Sequence, residues 1–202
     1  MKTSNKFTFI RVVLAPVFFI LYFIPLWTGH FVIGSAFILL PLLGFMEFTD
    51  YLDGHYARKN NEVSDFGKMF DPFADVIVHL TTFTCFMLSG KITGSPFGYL
   101  HPALFILIVY REFSMNFMRM AAAKKGVAIA ARKGGKFKTV LYVISGLFVV
   151  CIETLLRLGI NISAQLPGFH IAATILFSVS VVACYGSFID YLVHFKSVFD
   201  GV

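Results

Sequence analysis

Residues 12–46 read VVLAPVFFILYFIPLWTGHFVIGSAFILLPLLGFM, 35 positions without one Asp, Glu, Lys or Arg. A helix crosses the hydrocarbon of a bilayer in about 20 residues. The stretch is therefore too long for one span and the right length for two. Thr28-Gly29-His30 is its only turn-like cluster, and glycine beside a polar pair marks the break. The reading is a membrane hairpin, with span 1 at about 9–27 and span 2 at about 31–50. No small-residue cleavage site follows a short apolar core, so a cleavable signal peptide is not expected.

The pattern repeats outward from this hairpin. Hydrophobicity resumes over about 69–89, and a short loop follows with Gly94, Pro96 and Gly98. Further spans are expected at about 99–120, 139–158 and 169–193, the last two parted by Asn161, Gln165, Pro167 and Gly168. The expected fold is all-α: a polytopic membrane protein with six transmembrane helices in a single domain, 1–202. Composition agrees. Hydrophobic residues make up 57% of the chain and charged residues 14%, where soluble domains carry about a quarter charged. Disorder, a fibrous repeat and a nucleic-acid-binding domain are excluded on these grounds, despite the net charge of +6. Cys85, Cys151 and Cys184 stand in apolar stretches without CxxC spacing and read as small buried residues, not a disulfide frame or zinc site.

Loop charges test the count. Lys2, Lys6 and Arg11 precede or open span 1, Arg58, Lys59 and Lys68 lie in the connection 51–68, and Lys124, Lys125, Arg132, Lys133, Lys136 and Lys138 lie in 121–138. The intervening loops carry only Lys91 and Arg157. Basic residues thus alternate rich and poor, which predicts both termini and the two long connections on the cytoplasmic side. The positive charge then meets anionic lipid headgroups.

Ionisable groups are costly near a membrane core and need partners or a wet cavity. Asp50 and Asp53 close span 2, and Asp71 and Asp75 open span 3. Separations of three and four put each pair on one helix face. Gly54 follows Asp50 by four, Ala57 follows Asp53 by four, and Gly67 precedes Asp71 by four. The position one turn from these carboxylates is therefore nearly free of side chain, as close approach of a ligand requires. Converging carboxylates repel unless cations stand among them, and an all-oxygen set suits Mg²⁺ or Mn²⁺. Two such ions could bridge a diphosphate during phosphoryl transfer. Asp75, the deepest of the four, could act as a base.

The run Asp50-Tyr-Leu-Asp53-Gly54-His-Tyr-Ala57-Arg58, then Gly67, Asp71 and Asp75, fits D-x2-D-G-x2-A-R-x8-G-x3-D-x3-D at every fixed position. It resembles the signature of the CDP-alcohol phosphatidyltransferases. Asn5, Thr8 and Arg11 resemble the N-terminal N-x2-T-x2-R segment of that family. The resemblance implies six transmembrane helices in a homodimer and two divalent ions on Asp50, Asp53, Asp71 and Asp75, with Asp75 as general base. It also implies a CDP site formed by Asn5, Thr8, Asp50, Asp53, Gly54, Ala57, Arg58 and Gly67. One departure is visible: Val76 follows Asp75 where many members carry Lys, which removes a local charge partner.

Span 4 carries Arg111, Glu112 and Arg119. Eight residues return the arginines to nearly one helix face, and guanidinium matches phosphate bidentately. The segment Gly134-Gly135-Lys136-Phe137-Lys138-Thr139 adds cations among small residues that would allow backbone approach to an anion. Tyr110-Arg111-Glu112-Phe113, Arg119, Gly126-Val127 and Gly135 to Thr139 resemble the bacterial phosphatidylglycerophosphate synthases within the family. That resemblance implies CDP-diacylglycerol as donor and sn-glycerol 3-phosphate as acceptor, its phosphate on Arg111, Arg119, Lys136 and Lys138. It also implies a bacterial cytoplasmic membrane, with the active site facing the cytoplasm. Inositol phosphate, serine or phosphatidylglycerol as acceptor are the alternatives within the same chemistry. A divalent-cation transporter is the alternative outside it. Glu47 is expected to support the motif or to pack, Glu112 to pair with a neighbouring cation, and Glu153 and Asp190 to serve packing or pairing. No histidine has metal-ligand spacing.

Overall fold

The computed structural model describes residues 3–59, 65–90, 97–127, 129 and 132–196. Among these residues the protein is all-helical, with six helices: α1 Thr3–Thr28, α2 Val32–Lys59, α3 Asp65–Leu88, α4 Pro102–Lys124, α5 Lys133–Arg157 and α6 Leu166–His194.

The break inside the opening apolar stretch falls where the sequence places it. The Thr28 hydroxyl donates to the Ile24 carbonyl at 2.8 Å, and the His30 amide donates to the Thr28 hydroxyl at 3.1 Å. Gly29 takes φ 72° and Phe31 φ 65°, a left-handed conformation that glycine adopts freely and phenylalanine does not. The Phe31 ring folds over Gly34 and leaves no room there for a Cβ. Pro16 and Pro25 in α1, Pro41 in α2 and Pro72 in α3 lie within helices, as membrane helices tolerate.

The helices outrun the expected spans. The connection 51–68 is mostly helix: α2 continues nine residues past Asp50, and α3 begins at Asp65. Likewise α4 reaches Lys124 and α5 starts at Lys133. Apolar counting marks only the part of a helix inside hydrocarbon, whereas backbone hydrogen bonding propagates into the polar margin. Asp50, Asp71 and Asp75 are consequently interior helix positions, not helix ends.

Among the described residues, four stretches are long and apolar enough to cross a membrane: Lys6–Thr28, Val32–Asp50, Gly134–Arg157 and Leu166–His194. α3 and α4 do not reach that standard among the described residues. Their sequences hold Asp71, Asp75 and His79, and Arg111, Glu112 and Arg119, respectively. Both helices that fall short of it carry candidate chemistry.

The packing closes a ring: α1 lies against α2 and α3, α2 against α5, α5 against α6, α6 against α4, and α4 against α3. α3 also touches α5 across the middle. Phe83 fills that middle, its ring 5.1 Å from those of Tyr142 and Phe177, both edge-on. Tyr22, Phe83, Phe86, Tyr142 and Phe177 are fully or almost fully buried. Other phenylalanines, Phe37, Phe113 and Phe117 among them, point outward, as a lipid-facing surface requires.

Candidate active site

α1 carries the residues that gather the carboxylates. Thr8 and Arg11 are three apart, hence on one face, and both are buried. Arg11 Nη1 stands 2.6 Å from Asp50 Oδ1 on α2 and 2.7 Å from Asp75 Oδ1 on α3. Thr8 Oγ1 donates to Asp71 Oδ1 at 2.8 Å. Three of the four motif carboxylates, from two helices, thus converge on one face of a third. The side chain of Asp53 lies outside the described residues, as do those of Asn5, Gly54, Ala57 and Arg58. Gly67 is buried near the start of α3.

The exposures differ in a way that sets direction. The Arg11 side chain is 3% exposed, Asp50 37% and Asp75 29%. The guanidinium forms a floor, and the carboxylates open above it. Among the described residues no three His, Cys, Asp or Glu side chains are disposed to hold a metal ion. The donor chemistry nevertheless fits one. Asp50 and Asp75 already aim oxygens at a single cationic atom, and oxygen-only ligands suit hard divalent ions. Arg11 also supplies the positive charge beside Asp75 that Val76 does not.

One turn beyond Asp75, His79 Nδ1 lies 2.8 Å from the Asp75 carbonyl, and its Nε2 lies 3.7 Å from Glu47 Oε1. Glu47 on α2 therefore faces His79 on α3 behind the carboxylates, without a hydrogen bond between them. The His79 ring is 5.3 Å from that of Tyr142 on α5. Tyr142 leads into the second group.

That group is built around Glu112. Its Oε1 accepts from Lys138 Nζ at 2.8 Å, from Tyr142 OH at 3.1 Å and from Arg111 Nη1 at 3.1 Å. Arg111 also donates to the Cys184 carbonyl at 3.3 Å and the Ser187 hydroxyl at 3.4 Å. All three charged side chains are buried. One carboxylate serves two cations, so the network carries a positive charge in excess. Glu112 has the cation partners expected of it. Lys136 is exposed and, like Arg119, lies outside this network. Arg119 lines a cleft with Met69, Phe70, Phe73, Asn116 and Met120.

The expected role of Gly134 and Gly135 changes. A Cβ at Gly134 would lie 3.3 Å from Ser187 Cβ, and one at Gly135 would lie 3.2 Å from Tyr191 OH. Their missing side chains admit α6, not an anion. The same helix anchors the preceding loop: Arg132 Nε donates to Asp190 Oδ2 at 2.6 Å, and the Arg132 amide donates to Tyr191 OH at 2.7 Å. At the far end of the bundle, Arg157 pairs with Glu153 at 3.1 Å and donates to Ser35 and to the Tyr22 carbonyl. Glu153 and Asp190 are thus pairing residues.

Sequence reasoning missed the link from Arg11 to Asp50 and Asp75. The three-residue step from Thr8 to Arg11, the same step as Asp50 to Asp53, was the available signal.

Comparison with known proteins bears on this arrangement. The sequence model of the family described as CDP-alcohol phosphatidyltransferase matches residues 1–186. A CDP-diacylglycerol--glycerol-3-phosphate 3-phosphatidyltransferase of Treponema pallidum is 34% identical, with 100% of this chain and 93% of the relative aligned. The Bacillus subtilis protein of the same name is 34% identical over 67% of this chain and 69% of its own length. A probable phosphatidylglycerophosphate synthase of Mycobacterium tuberculosis is 27% identical over 94% of this chain and 79% of its own length.

Proposed function

The chain belongs to the CDP-alcohol phosphatidyltransferase family, and from that premise we propose that it transfers the phosphatidyl group of CDP-diacylglycerol to sn-glycerol 3-phosphate. The products are phosphatidylglycerophosphate and CMP. The observation that carries this reading is the convergence of Asp50, Asp71 and Asp75 on Thr8 and Arg11. Relatives aligned along most or all of the chain bear the corresponding name.

Asp50, Asp53, Asp71 and Asp75 are the residues that would hold two divalent ions, Mg²⁺ or Mn²⁺. When bound, these ions neutralise charge on the donor's diphosphate. Asn5, Thr8, Gly54, Ala57, Arg58 and Gly67 would receive the CDP moiety. Asp75 takes the proton of the acceptor's 1-hydroxyl. That oxygen bonds to the lipid-side phosphorus, the bond from this phosphorus to the bridging oxygen breaks, and CMP leaves with the electron pair. Arg11 holds Asp50 and Asp75 at one distance from a common point, which pre-orients the base. The excess positive charge around Glu112, with Arg119 two turns further along α4 and Lys136 nearby in sequence, draws the acceptor's phosphate to Arg111, Arg119, Lys136 and Lys138. The His79–Tyr142 contact supports placing that group next to the carboxylates.

All six helices are proposed to cross the membrane as one domain. α3 has 24 residues and α4 has 23, or about 35 Å at 1.5 Å per residue, enough for the hydrocarbon. The loop charges support cytoplasmic termini and a cytoplasmic active site, and the bacterial relatives support the inner membrane. A homodimer is the assembly the family resemblance implies.

The test is an acceptor panel. Purified protein receives CDP-diacylglycerol, Mg²⁺ or Mn²⁺, and in turn glycerol 3-phosphate, inositol phosphate, serine or phosphatidylglycerol. CMP is measured and the lipid product identified. Release is expected with glycerol 3-phosphate and is expected to stop on chelation of the metal. Release with another acceptor only would reassign the acceptor, and no release with any of them would overturn the reading.

A further inference from the structure

The start of α5 is a poor one for a helix. Arg132 stands at its N-cap with extended backbone, and its side chain makes no cap bond. Ser, Thr, Asp and Asn serve there because their oxygens accept an orphan amide, whereas a guanidinium only donates. The first turn then holds Lys133, Gly134, Gly135 and Lys136, without an acid, and Lys138 follows. Glycine weakens a helix, and cations are misplaced at its positive end. Left to itself, such a turn would fray.

What holds it comes from α6. The Arg132 amide donates to Tyr191 OH at 2.7 Å, and the Arg132 carbonyl accepts the Lys136 amide at 3.1 Å. The Arg132 guanidinium forks onto Asp190, Nε to Oδ2 at 2.6 Å and Nη2 to Oδ1 at 3.3 Å. Its Nη2 also lies 2.8 Å from His194 Nε2. His194 Nδ1 lies 2.9 Å from the Asp190 carbonyl and 3.1 Å from Asp190 Oδ1, both acceptors. The ring proton therefore sits on Nδ1, and Nε2 accepts from Arg132. Isolated exposed ion pairs contribute little, and bidentate or networked ones are the exception. This pair is both.

The clasp matters unequally to the two lysines beyond it. Lys138 is buried and has its own anchor, Glu112, at 2.8 Å. Lys136 is exposed, and its amide makes the first helical bond, to Arg132. The place of Lys136 thus depends on the turn that Arg132 secures. We propose that Arg132, clasped by Asp190 and His194, is a positioning residue that holds the first turn of α5 so that Lys136 meets the acceptor's phosphate. The role rests on the proposed reaction and deepens it: the Arg132 guanidinium is committed to α6, and Lys136 makes the contact.

The test compares Asp190→Ala, which opens the clasp, with Asp190→Glu, which keeps its charge. CMP release is followed against the concentration of glycerol 3-phosphate, or of whichever acceptor the panel above selects. Hydrogen exchange is followed at the amides of residues 136–139. In Asp190→Ala the acceptor KM is expected to rise about tenfold, with kcat, the KM for CDP-diacylglycerol and the melting temperature unchanged. Exchange at 136–139 is expected to quicken about tenfold. Asp190→Glu is expected to bring both to within about threefold of the parent. If Asp190→Ala does not fold, Arg132→Lys, which keeps the charge and loses the fork, is read in its place, with a rise of about threefold in the acceptor KM. Faster exchange with an unchanged acceptor KM would overturn the proposal, because the clasp would then be structural only. Unchanged exchange would overturn it too, as would an Asp190→Glu variant no better than Asp190→Ala. No CMP release by the parent with any acceptor would instead sink the reaction, and the exchange at 136–139, which needs no acceptor, would then decide the clasp alone.

Discussion

A single nitrogen of Arg11 stands between Asp50 and Asp75, at 2.6 and 2.7 Å. Two carboxylates this close repel, and the guanidinium offsets that repulsion from a buried position. Thr8 does smaller work on Asp71, with one neutral donor at 2.8 Å. The residues should separate in kinetics accordingly. Asp75→Asn removes the proposed base and is expected to lower kcat by about 10²-fold or more. Thr8→Val removes one hydrogen bond and is expected to cost about three- to tenfold. CMP release by purified variants with unchanged melting temperatures measures both. Equal losses would show that Thr8 matters to the rate as much as the base does, and a retained rate in Asp75→Asn would remove Asp75 from its role.

At the scale of elements, Glu112 joins α4 to α5 through Lys138 and Tyr142, and its neighbour Arg111 joins α4 to α6 through Ser187. Removing one partner of a buried pair leaves an uncompensated charge, which costs about 3–5 kcal/mol, whereas removing both often costs little. Glu112→Gln is therefore expected to lower the melting temperature markedly, and Glu112→Gln with Lys138→Met to recover much of the loss. A double variant no better than the single would show that packing, not charge, dominates there. Spacing alone put Arg111 and Arg119 on a common face. The packing gives Arg111 to Glu112 in the interior and sets Arg119 beside Met69, Phe70 and Phe73 of α3, because a helix face is wide enough to meet two different neighbours.

At the scale of the whole molecule, the ring of helices places the ends of α2 and α4 and the starts of α3 and α5 at one end, and the Thr28–Val32 and Arg157–Leu166 turns at the other. With native cysteines replaced, Asn161→Cys is expected to react with a membrane-impermeant maleimide in intact cells. Lys124→Cys is expected to react only after the membrane is opened. The reverse pattern would invert the proposed orientation and put the carboxylates outside the cell.

The hydrophobic segments, the break at Gly29 and the register of the carboxylates within their helices can all be read from the order of residues. Bilayer thickness and the helical repeat act on neighbouring residues, so their marks are local. Helix ends were less legible, because apolarity stops where the bilayer does and hydrogen bonding does not. That Arg11 floors the carboxylates, that Glu112 takes up Arg111 and Lys138, and that Gly134 and Gly135 make room for α6 emerges from the packed helices alone. Each of those pairings joins helices distant in the chain, and the choice among several possible partners is made by packing, which leaves no period in the sequence to read.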